Sequence, residues 1–101
     1  MGNLDKEIKQ LYERTARTRY EFLKNEVQSC RTALDMAEFQ LSTTNRAGAE
    51  SEAAYVTKGV AVLHRFLPLA STDHQLEIGR KLAEIEAALV SLKARLYPDV
   101  E

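Results

Sequence analysis

The sequence predicts an all-α protein: a three-helix antiparallel bundle whose first helix is far longer than the other two. Three observations predict it. Neither glycine nor proline interrupts the chain between Asn3 and Ala47. Along that span, apolar residues recur in steps of three and four: Leu4, Ile8, Leu11/Tyr12, Ala16, Tyr20, Leu23, Val27, Cys30, Leu34, Ala37 and Leu41. That spacing places them on one stripe of an α-helix. Near the other end, Ile78, Leu82, Ile85, Leu89, Leu92 and Leu96 keep heptad spacing.

The first helix is expected over residues 4–43. Asn3 is a candidate cap, and Asp5 and Glu7 place negative charge in the first turn, where the helix dipole favours it. Thr15 and Thr18 are weak helix formers and make 13–19 the softest stretch. Ser42-Thr43-Thr44-Asn45 and Gly48 mark the first turn, within 42–50. The second helix follows at about 49–67. It carries one seam of Val56, Val60, Leu63 and Leu67 and another of Tyr55, Gly59, Val62 and Phe66. An apolar arc that broad predicts contact with two neighbours, hence the middle helix. Gly59 sits on the seam at a cost of about 1 kcal/mol in helix propensity; either its missing side chain lets another backbone come close or the glycine is simply tolerated there. Pro68 ends this helix. Thr72 and Gln75 resemble a capping box, with Ser71 and Asp73 as alternative caps, and the third helix spans about 73–97. Leu76, Ala83, Ala87, Val90 and Ala94 are expected to widen its buried stripe.

The 101 residues suit a single helical domain, 1–101, and a hydrophobic fraction of 45% is enough for a core. The net charge of −1 demands no polyanionic partner. A lone Cys30 excludes an internal disulfide. No apolar run approaches a membrane span of about 20 residues, and the first residues do not look like a signal peptide, so a cytoplasmic location is expected.

Length creates a mismatch. A second helix of roughly 19 residues reaches about 28 Å, while a first helix of roughly 40 reaches about 60 Å. Folding back from the first turn, the second helix covers the first only to about Leu23. Leu4, Ile8, Leu11, Tyr12, Ala16 and Tyr20 are left as an apolar strip without cover, and such strips mark contact surfaces. The 1–20 extension is therefore expected to mediate self-association, most simply as a two-fold dimer. The alternative is a bend near Thr15–Thr18 that folds the extension back into a four-helix monomer, although sharp bends normally need Gly or Pro.

The chemistry legible in the sequence is sparse. No catalytic set, cofactor motif or metal motif is read from it. His64, Asp73 and His74 flank the second turn and could approach one another as part of a metal or enzymatic site, but no helix-spaced ligand motif supports them. Cys30 on the apolar stripe reads as a buried small hydrophobe. Arg14, Arg17, Lys24 and Arg31 form a basic face that a nucleic-acid-binding module would use, opposed by Glu13, Glu21 and Glu26. Met36 and Phe39 lie off the main stripe and would line a groove for a partner helix if others joined them. The expected function is a non-enzymatic structural or protein-interaction module that self-associates through its long first helix.

Overall fold

The computed structural model describes residues 2–98, and the side chains of residues 6, 10 and 15–98. Its elements are α1 (Gly2–Ser42), α2 (Arg46–Phe66), a 3₁₀ turn at Leu67–Leu69, and α3 (Thr72–Leu96). The protein is an all-α three-helix bundle. α1 packs chiefly against α2, and both pack against α3.

The α1–α2 turn is tighter than the sequence suggests. It occupies 43–45, and α2 begins at Arg46 rather than 49. Thr44 takes a left-handed conformation, φ 60°. Its N–H donates to Leu41 O at 3.1 Å, and the Asn45 N–H donates to Gln40 O at 2.7 Å. These two bonds are those of a Schellman motif, which satisfies the last carbonyls of α1. Asn45 then caps α2, its Oδ1 accepting from the Gly48 N–H at 3.0 Å. Gly48 is thus helical, not a turn residue. α1 begins at Gly2, so Asn3 lies inside it.

α2 ends at Phe66, where Pro68 fits the first turn of the 3₁₀ segment. Ser71, not Thr72, caps α3: its Oγ accepts from the His74 N–H at 3.4 Å. Gln75 does not close a box on Thr72. Its Nε2 donates to Ala70 O at 2.8 Å and Pro68 O at 3.2 Å, tying the connection together.

The core matches the apolar periodicity where three helices meet. Leu23, Val27, Cys30, Ala33 and Ala37 come from α1, and Ala49, Ala53, Val56 and Leu63 from α2. All six heptad-spaced residues of α3, Ile78 to Leu96, are buried. Small side chains dominate the α1–α2 seam, so those helices lie close, while the leucines and isoleucines of α3 fill the remaining side. Two expectations fail. Leu76, Ala83, Ala87, Val90 and Ala94 are exposed rather than widening the buried stripe, and so is Tyr55. In a bundle of three, each helix meets two neighbours over a limited arc, which the smaller set fills.

The bundle has a definite foot. The Arg19 Nη1 donates to Leu69 O at 3.3 Å, the Tyr20 ring stacks on His74 at 3.8 Å, and Phe22 meets Phe66 edge-on at 5.4 Å. Below it α1 continues without a break through Thr15 and Thr18. The molecule measures 65 × 23 × 16 Å, with a radius of gyration of 17.8 Å against about 13 Å for a globule of this length. The long dimension equals the length of an unbent helix of 41 residues, about 60 Å, plus its ends.

Candidate interaction surface

The overhang is the segment of α1 from Gly2 to Thr18, about 25 Å of helix beyond the foot. Its described side chains, Lys6, Gln10, Thr15, Ala16, Arg17 and Thr18, are exposed. The side chains of Leu4, Ile8, Leu11, Tyr12 and Arg14 lie outside the described residues. Of the six residues predicted to form a contact strip, the structure therefore places Ala16, exposed, and Tyr20, half-buried. Tyr20 is engaged within its own chain. Its hydroxyl donates to Glu77 Oε2 at 2.5 Å, and Lys24 Nζ lies 4.5 Å above its ring. That hydrogen bond raises the Tyr20 pKa and holds the Glu77 carboxyl below its usual range.

Where the foot meets the overhang there is an open apolar notch of about 430 Å³, lined by Thr15, Thr18, Arg19, Phe22, Leu23, Phe66 and Leu69. Phe22 and Leu69 are both exposed, Leu69 at 54%. The notch forms because α2 stops at Phe66 while α1 runs on. The sequence marks its parts only indirectly: Phe22 lies just off the main stripe and Leu69 just past Pro68.

The basic face is divided. Arg17 is exposed, but Lys24 pairs with Glu21 at 3.3 Å and Arg31 with Glu84 at 3.1 Å. The histidines are apart in their contacts: His64 Nε2 lies 2.9 Å from Glu86 Oε1, and His74 stacks on Tyr20. Among the described residues no three His, Cys, Asp or Glu side chains converge as metal ligands do. Cys30 is fully buried, and burial, with Glu26 nearby, pushes its thiol up to about 11. A thiol so placed is neutral and shielded. Met36 and Tyr55 join Ala33 and Glu52 along a shallow α1–α2 groove, and Phe39 is 63% exposed.

No helix among the described residues is long and apolar enough to cross a membrane. No protein-family model, curated protein or solved structure matches the chain.

Proposed function

We propose that the protein is a non-enzymatic assembly module, a helical bundle that self-associates through the overhang of α1. One observation carries this: an unbent helix projects about 25 Å past its bundle, and its sequence there carries the apolar strip Leu4, Ile8, Leu11, Tyr12 and Ala16. A helix with one apolar stripe gains stability by burying it, because propensity alone holds a segment of this length only marginally in water. A second copy supplies a surface of matching shape without any further gene product, and two-fold pairing is the simplest closed solution.

The side chains that chemistry would need have other work. Cys30 fills the seam with α2, Lys24 and Arg31 hold carboxylates of their own chain, and the histidines pack against Glu86 and Tyr20. A nucleic-acid role is correspondingly less favoured.

The test is thermal unfolding over a range of protein concentrations. The full chain should show a melting temperature that rises with concentration, as linkage requires of an associating species. A chain lacking residues 1–14 keeps the bundle core, which starts at Leu23, and should melt at a temperature independent of concentration. A concentration-independent melt of the full chain would remove the basis for assembly.

A further inference from the structure

The row of α1 that meets α2 can be followed down the helix. Phe22 meets Phe66, Glu26 and Cys30 face Gly59, and Ala33 shares a groove with Tyr55. Continued towards the N-terminus in steps of four and three, the same row is Thr18, Thr15, Leu11, Ile8 and Leu4. α2 thus runs along the upper part of one track on α1 and stops at Phe66, while α1 continues to Gly2.

The geometry points to an occupant: the overhang of a second copy, running antiparallel, with its Leu4 end seated in the notch of Phe22, Phe66 and Leu69. This rests on the self-association proposed above and adds its orientation and its contacts. Three features support it. The spacing of the row, four-three-four-three-four, is the same in either direction, so an antiparallel copy sets Leu4 against Phe22, Ile8 against Thr18 and Leu11 against Thr15 across a two-fold axis near Glu13. A parallel copy would have to continue up the track, which α2 already fills; an antiparallel copy carries its bundle away past the first tip. Flanking the row, Asp5 comes beside Arg19 of the second copy, twice by symmetry. Glu7 beside Glu21, and Arg14 beside its own symmetry mate, oppose this, so apolar contact rather than charge drives the pairing.

Disulfide trapping in the full chain tests it, since native Cys30 is buried and does not compete. Arg14→Cys lies by the axis and should give a linked dimer. Leu4→Cys should not link to itself, because its two copies stand about 27 Å apart, far beyond disulfide reach. Trapping at Arg14→Cys should exceed that at Leu4→Cys by about tenfold or more. Leu4→Cys mixed with Leu69→Cys chains should link. Val90→Glu, on the exposed apolar strip of α3, should leave the dimer intact. Efficient self-linking of Leu4→Cys, failure of the Leu4–Leu69 pair to link, or loss of the dimer in Val90→Glu when the unsubstituted chain dimerises overturns this arrangement and leaves self-association standing. A monomer at every concentration overturns both.

Discussion

A methyl group at position 59 would lie 2.4 Å from the Cys30 Sγ and 2.7 Å from Glu26 Oε1. Glu26 can swing its carboxylate aside, but Cys30 is fully buried among packed neighbours. Glycine at 59 is therefore what lets α1 and α2 approach. Gly59→Ala gains up to about 1 kcal/mol of helix propensity and meets an overpacking cost of about 1–3 kcal/mol. Net destabilisation of about 1 kcal/mol is expected in urea unfolding, and it should vanish or reverse in a Cys30→Ala background. Equal effects in both backgrounds would show that the sulfur is not the obstacle. The sequence places Gly59 and Cys30 on apolar stripes, but each on its own helix. Their opposition depends on helix register, which depends on where the turn falls, and the sequence leaves that uncertain by several residues. The notch is still less visible: Phe22 lies off the main apolar stripe of α1 and Leu69 lies past Pro68, and they come together only because one helix stops beside another that continues.

At the scale of elements, helix existence and order follow from the sequence because three long periodic stretches are separated by two polar or proline-marked breaks. Boundaries were less legible. Gly48 is the conventional residue for a left-handed helix stop, yet Thr44 takes that conformation and Gly48 lies in the first turn of α2. The cause is Asn45, whose side chain caps the next helix only if the reversal is complete one residue earlier. A β-branched residue in the left-handed region is strained by about 1–2 kcal/mol, partly offset when glycine replaces it by the greater chain entropy lost on folding. Thr44→Gly should stabilise the protein by up to about 1 kcal/mol in urea unfolding; a loss of stability would mean that the Thr44 hydroxyl bond to Thr43 O outweighs the strain. α3 shows the opposite balance. Its heptad series is buried to the last residue, while the flanking Leu76 and Val90 are exposed, because periodicity marks the centre of a buried face better than its edges.

The whole molecule is a short bundle on a long rod, and the mismatch in length could be deduced from helix rise alone. The structure adds that α1 continues without a break where Thr15 and Thr18 offered a bend, and that α2 ends against Phe22. Those facts place the apolar strip of the sequence on a helix that runs on where α2 stops. Sedimentation equilibrium of the full chain measures the consequence most directly. A species of twice 11.4 kDa that dissociates on dilution is expected, and Leu11→Glu should convert it to monomer while the bundle stays folded. A mass of 11.4 kDa at every concentration up to the high micromolar range would contradict it.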